Sequence, residues 1–203
     1  MDRSKTPSPR TEIKMPRYSI ITPTILRPGL LTACASLDEQ TCTDWEHIVV
    51  CDRPRNTPEA QELLSKIVHP QRMVYDCSRE HRDYGSTCKH EIWPKAKGDY
   101  IYYLDDDNYF SHRGVLEDLK VVTGVWALFP ILHYGKRFCN IPPGVDRTDT
   151  GNFLVKREHG RFPLEEPIHS DGHLVERLKK VAPYQDLTNI TPVLVYAAQN
   201  CGK

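Results

Sequence analysis

The sequence predicts an α/β fold with a mostly parallel central sheet flanked by helices, and three observations predict it. Short apolar runs alternate with amphipathic stretches through the first 105 residues, the pattern of right-handed βαβ units. Two of those runs end in aspartate, at Asp52 and at Asp105–Asp107, and open α/β sheets bind ligands outside the carboxyl ends of their strands. The 203 residues are 39% hydrophobic and 27% charged, the balance of a globular chain with a real core.

The elements follow in order. Tyr18 to Thr22 is a short apolar run stopped by Pro23, which suits a buried strand. Leu30 to Gln40 reads as a helix, with Pro28 near its first turn. Trp45 to Cys51 is a second strand, closed by Asp52. Pro58 to Val68 is a helix with Thr57 as its N-cap. Arg72 to Asp76 is the third strand, and Ser86 to Ala96 a helix that Pro94 must end or kink. Asp99 to Leu104 is the fourth strand. The second half is less regular. It predicts a helix over 112–121, an apolar strand over 125–133, and a long connection over 137–150 with Pro142, Pro143 and Gly144. A strand over 152–156, a helix over 172–181 and a strand over 192–198 complete it.

Bulk properties exclude several functions. Lys plus Arg equals Asp plus Glu, at 27 each, so no global field draws the chain to nucleic acid. No run of about 18 apolar residues predicts a membrane span. The seven cysteines are odd in number, scattered, and without a CxxC pair. Their expected state is reduced, in a cytoplasmic protein, with neither a structural zinc site nor a disulfide framework. Residues 1–17 hold three prolines and five basic residues, and read as a flexible tail.

Asp105, Asp106 and Asp107 carry the clearest chemical signal. Three adjacent carboxylates repel one another, and no basic run lies beside them in sequence. A hard divalent cation with oxygen ligands removes that cost, and Mg²⁺ typically takes one or two carboxylates plus substrate phosphates. A solvated acidic turn is the bland alternative. The triplet's place directly after a hydrophobic strand favours the cation.

Four stretches then resemble family 2 glycosyltransferases with the GT-A (Rossmann-like) fold. They are Ser19 to Thr24; Ser36 to Thr41 with Trp45 to Asp52; Ala96 to Asp107; and Asp149 to Arg157 with His169 to Leu174. The resemblance covers roughly residues 18 to 178 and implies a single catalytic domain over 18–203. Residues 18–108 would bind the nucleotide sugar, and 109–203 would serve the acceptor. It implies that Thr22, Pro23, Thr24 and Asp52 lie around the nucleoside, with Asp52 accepting from the base. Asp105 would lie near the ribose or sugar, with Asp106 between it and Asp107, the direct ligand of Mn²⁺ or Mg²⁺ in a DXD motif. Asp171 would be the catalytic base, with Glu165 and Glu166, between Pro163 and Pro167, as its rivals.

The family's usual acidic pair after the second strand is Asp52-Arg-Pro here. Its usual helix arginine is replaced around Cys88-Lys-His, which makes Lys89 the candidate phosphate contact, as a point charge and not a fork. His173, or its neighbour His169, could complete the metal shell; Ser170 could equally cap the helix that holds His173. Trp126 is the best tryptophan for stacking on a sugar.

The implied activity is metal-dependent transfer, with inversion, from a UDP- or GDP-sugar to a carbohydrate or other hydroxyl-bearing acceptor. Two other functions compete. A sugar-nucleotide nucleotidyltransferase needs a Gly-rich loop after the first strand, and residues 22–29 hold one glycine. A non-catalytic nucleotide-sugar binder would need no base, yet Asp171 is in place.

Overall fold

The computed structural model describes residues 15–81, 83–164 and 169–196. Its main sheet has seven strands in the order β10-β6-β9-β4-β1-β2-β3. The left-to-right core is β4 (Tyr100–Tyr103), β1 (Tyr18–Thr24), β2 (Trp45–Cys51) and β3 (Arg72–Asp76), all parallel. Helices α1 (Gly29–Asp38), α2 (Pro58–Ser65) and α3 (Ser86–Ile92) connect them, as the alternating pattern requires. The predicted class therefore holds.

Local chemistry explains the boundaries. Thr57 caps α2, its hydroxyl accepting from the Ala60 amide at 3.2 Å. Pro94 ends α3, and a single 3₁₀ turn, Trp93–Lys95, follows. β1 runs through Pro23 to Thr24, two residues beyond the predicted stop. Its register explains why a proline is tolerated in a central strand. Only Tyr18 to Ile21 pair with β4, so past Ile21 the strand has one neighbour, β2.

The second half departs further. The apolar run at 125–133 is not one strand. Pro130 splits it into β6 (Trp126–Leu128) and β7 (Ile131–His133), which belong to different sheets. The predicted helix at 112–121 is only α4 (Val115–Asp118) and a 3₁₀ turn. The strand β9 (Phe153–Lys156) inserts antiparallel between β4 and β6. Three short strands escaped prediction: β5 (Asn108–Phe110), β8 (Lys136–Phe138) and β10 (Gln185–Asp186). A small sheet has the order β5-β11-β7-β8, with β11 (Leu194–Tyr196) between β5 and β7. The predicted last strand extended to 198, which lies outside the described residues. So do Cys201, residues 1–14 of the predicted tail, and residues 165–168, with the rival carboxylates Glu165 and Glu166. Arg17, at the tail's end, is held, donating to the Val122 carbonyl at 2.8 Å and lying over Tyr18 and Tyr100.

Two packed layers cover the sheet. One contains Tyr18, Ile20, Tyr102, Leu104, Phe129 and Leu154; the other contains Ile21, Tyr103, Trp126, Phe153 and Leu174. A polar chain is buried in the parallel core. Arg72 Nε donates to His47 Nδ1 at 2.7 Å, so His47 Nε2 carries the proton toward Thr22 Oγ1 at 2.9 Å. Burial, then the Arg72 charge, holds the His47 imidazole well below its ordinary titration range.

Trp126 is a core residue and not a sugar platform: it is fully buried and its Nε1 donates to the Ala182 carbonyl at 3.0 Å. The cysteine expectation also needs correction. Cys77 and Cys88 form a disulfide, with Cα atoms 5.7 Å apart, inside the range that geometry permits. The turn from β3 into α3 folds the two residues together, and a separation of 11 in sequence does not reveal that.

Candidate active site

The strand ends converge on one cavity of about 570 Å³. Pro23 and Thr24 enter from β1, Asp52 from β2, and Asp105–Asp107 from the turn after β4. Arg27, Arg53, Glu80, Tyr84, Gly85 and Tyr196 complete its wall. Gly85 is required here. It has φ +78°, and a Cβ would fall 2.7 Å from the Pro23 ring. A second hollow of about 200 Å³ adjoins, sharing Asp52, Arg53 and Glu80.

The three aspartates have different environments. Asp106 is 1% exposed and structural in its contacts: Thr24 Oγ1 donates to it at 2.6 Å and Arg27 Nε lies at 2.7 Å. Burial raises its pKa, against the pull of Arg27 and Thr24. Asp107 faces the cavity, with Arg27 Nη1 at 3.3 Å. Burial, then the Asp105 charge, pushes its carboxyl up to about 6. Asp105 meets Lys89 Nζ at 2.8 Å, and Thr150 Oγ1 donates to it at 2.9 Å.

Cations therefore do serve the triplet, although none lies next to it in sequence. Arg27 comes from the β1–α1 connection and Lys89 from α3. Sequence reasoning missed Arg27. Its signal was its place in the turn that leaves a strand end, read there only for glycines.

The donor set suits a hard cation. Asp105 and Asp107 offer carboxylate oxygens, partly exposed, at the end of one strand, the ligand type that Mg²⁺ and Mn²⁺ take. His173 sits half-buried in the first turn of α5 (Ser170–Val181). Among the described residues, it joins no three-ligand grouping with Asp107. His169 is ion-paired with Asp146 at 2.7 Å.

Other expected residues are brought close but in different roles. Thr22 is fully buried and hydrogen-bonded to His47, so it lines no cavity. Lys89 is 3% exposed and stands behind Asp105. Asp52 accepts from the His81 amide at 2.9 Å.

Asp171 lies in the first turn of α5. The cap is His169, with no side-chain capping bond, and Ser170 instead bonds Ser86 at 2.7 Å, tying α5 to α3. The helix start alone would favour the charged carboxylate. Burial outweighs it, and with the charges of Asp149 and Asp105 it pushes Asp171 up to about 6, against the Gly172 amide and Lys89. Gly172 lets α5 approach this closely, because a Cβ there would fall 2.5 Å from Val145 Cα. Asp149 opens the 3₁₀ turn before β9 through a capping box with Asn152. Asp149, Asp171, Lys89 and Asp105 thus form one electrostatic group.

This sheet order and strand-end crevice put the chain in the GT-A class. Residues 19–120 match the profile of glycosyl transferase family 2, half of the chain, and the chain belongs to that family. Solved structures are similar in fold. Staphylococcus aureus TarS residues 1–349 in complex with UDP-GlcNAc is 14% identical, with TM-score 0.69, covering 92% of this chain and 60% of that one. The Pyrobaculum calidifontis mannosyltransferase PcManGT, in complex with GDP-Man and Mn²⁺, is 17% identical, with TM-score 0.68, covering 94% and 59%. The chain spans 37% of the longer TarS structure. No curated protein matches it. No helix among the described residues is long and apolar enough to cross a membrane.

Proposed function

We propose that the chain transfers a sugar from a UDP- or GDP-sugar to an acceptor hydroxyl, with a divalent cation and inversion at the anomeric carbon. The observation that carries this reading is the single cavity that joins Asp52 to Asp105 and Asp107 at the strand ends. The family, and neighbours that hold UDP-GlcNAc or GDP-Man with Mn²⁺, support it.

Each role follows from position. Asp52, beside the smaller hollow, accepts from the base, and Pro23 and Thr24 flank the nucleoside. Asp107, with Asp105, holds Mn²⁺ or Mg²⁺, which supplies neutralising charge for the departing diphosphate. Lys89 positions Asp105, and Arg27 balances the triplet before donor binds. Asp171 accepts the acceptor proton as the hydroxyl oxygen bonds to the anomeric carbon and the bond to diphosphate breaks. A base titrating near 6 is matched to neutral conditions. A cytoplasmic setting belongs to the same proposal, and would hold Cys77 and Cys88 as thiols.

Asp107→Ala tests the reading. Calorimetry should show UDP or GDP binding that requires Mn²⁺ in the parent and loses that requirement, with most of its affinity, in the variant. Unchanged Mn²⁺-dependent affinity in a folded variant rejects the assignment.

A further inference from the structure

Two overlapping groups of metal-ligating side chains, joined at Cys77, lie beneath the cavity wall, and the proposed transfer leaves Cys77, His81, Cys88 and Glu91 unused. Cys77 follows β3, His81 lies four residues on in the same turn, and Cys88 and Glu91 sit on one side of α3. The ligand atoms of Cys77, His81 and Glu91 all lie within 4.8 Å of one another, as do those of Asp52, Cys77 and Cys88. Cys88 is bonded through its sulfur to Cys77. Tetrahedral zinc takes sulfur at about 2.3 Å and nitrogen or oxygen at about 2.0–2.2 Å, which sets ligand atoms roughly 3.3–3.8 Å apart. Cys77 is the ligand that the two groupings share, and its bond to Cys88 brings the fourth side chain to the second grouping.

A second observation points to a ligand. The His81 side chain is 9% exposed, and its Nε2 is buried with no hydrogen-bond partner. Glu91 Oε1 is 3.6 Å away, beyond hydrogen-bond range. A buried ring nitrogen left in that state is costly, and a metal ion would use its lone pair. Glu91 Oε1 already accepts from the Ser78 hydroxyl at 2.6 Å, and Oε2 from the Ser78 amide at 3.0 Å. Those bonds fix the carboxylate and leave lone pairs for a metal.

We propose that Cys77, His81, Cys88 and Glu91 form a zinc-type site when the two cysteines are thiols, and that the same sulfurs close as a disulfide when oxidised. A dithiol reductant supplies two electrons and two protons; the S–S bond of the chain breaks and the reductant leaves as a disulfide. Zn²⁺ then displaces both thiol protons to solvent as two Zn–S bonds form. The ligands separate this site from the aspartate triplet: thiolate and imidazole select zinc, whereas carboxylates suit Mg²⁺ or Mn²⁺. It also shares a wall with the nucleotide cavity, because Asp52 holds the His81 amide.

Co²⁺ is the probe. The full chain is reduced with a dithiol, freed of reductant without air, and titrated with Co²⁺. One equivalent should give a thiolate-to-cobalt charge-transfer band and the intense visible bands of a tetrahedral centre, and Zn²⁺ should abolish both. Zn²⁺ should also protect Cys77 and Cys88 from alkylation. The signal should vanish in Cys77→Ser and in the oxidised chain. It should persist in Cys139→Ser and in Asp107→Ala, which separates this site from the donor site. Three results overturn the proposal. The folded chain resists reduction at Cys77 and Cys88; or both become alkylatable yet Co²⁺ gives no charge-transfer band; or the band survives Cys77→Ser.

Discussion

Replacing Asp171 by asparagine keeps its shape and removes its charge, and both stability and turnover should respond. Burial, then the neighbouring charges of Asp149 and Asp105, moves the carboxyl from an ordinary 3.8 to about 6. Two pKa units correspond to about 3 kcal/mol held against the charged form, an upper bound for a fully shielded group. Asp171 retains some solvent contact, so about 1–2 kcal/mol is the expected size. The sign is fixed by linkage. Because the folded pKa is the raised one, the folded state keeps the proton longer than the unfolded chain does. The penalty is absent below about pH 4, grows between about 4 and 6, and is complete above 6. Asp171→Asn removes it, and asparagine Oδ1 can still accept from the Gly172 amide. Urea unfolding should show the variant about 1–2 kcal/mol more stable than the parent at pH 8 and equal to it near pH 4. Turnover on the true acceptor should fall by about 10²–10⁴, and the acid limb of kcat near pH 6 should disappear. Equal stability at both pH values refutes the electrostatic reasoning. Gained stability with full turnover leaves Asp171 a strained carboxylate and removes it as the base.

Two further outcomes test the donor side. Asp52→Ala should weaken UDP or GDP binding about tenfold or more by calorimetry, from loss of a charge-assisted bond of about 1.5–3 kcal/mol, with the Mn²⁺ requirement unchanged; equal affinity makes Asp52 a support for the His81 turn alone. Arg27→Gln should lower thermal stability without metal, since it strips the buried Asp106 of its cation, and Mn²⁺ should restore more of that loss than it adds to the parent. An equal Mn²⁺ shift in both proteins would show that Arg27 and the cation do not compete.

The first half was legible because its signals are local. Strands β1, β2 and β4 are short, mostly apolar runs, and Thr57, Pro94 and the acidic strand ends mark boundaries by their own chemistry. The second half depends on tertiary partners. Pro130 sends two halves of one apolar run to different sheets, and β5, β8 and β10 are too short to carry a period. In the site, the carboxylates were legible and their counter-charges were not. Arg27 and Lys89 lie about 80 and 16 residues from their partners in sequence, and only the folded sheet brings them to the triplet. Thr22, which the resemblance implied would lie around the nucleoside, instead completes the buried Arg72–His47 chain, a partnership between β1, β2 and β3 that no local pattern reports. The direction of the Asp171 shift also depended on burial, which no spacing reports.

Among the described residues of the main sheet, β9 alone runs antiparallel to its neighbours, which bears on how this chain can vary. Parallel strands present their leading edges away from the crevice, but β9 runs backwards, so the turn that precedes it, Asp149 to Asn152, arrives at the same rim as Asp105. The segment between β8 and Asp149 is therefore a loop clamped at both ends: Asn152 donates to the Phe138 carbonyl at 3.2 Å and caps its own turn. Closure cost grows only slowly with length, so the stretch from Cys139 to Ile141 can lengthen at little entropic cost, whereas Pro143 to Thr148 pack on α5 through Val145 and Asp146. New sequence spliced there would meet whatever approaches the rim from outside, while the register of β1, β2 and β4 beneath stays untouched. Extra sequence inserted between Cys139 and Ile141 would therefore change the outer rim while β1, β2 and β4 keep their pairing.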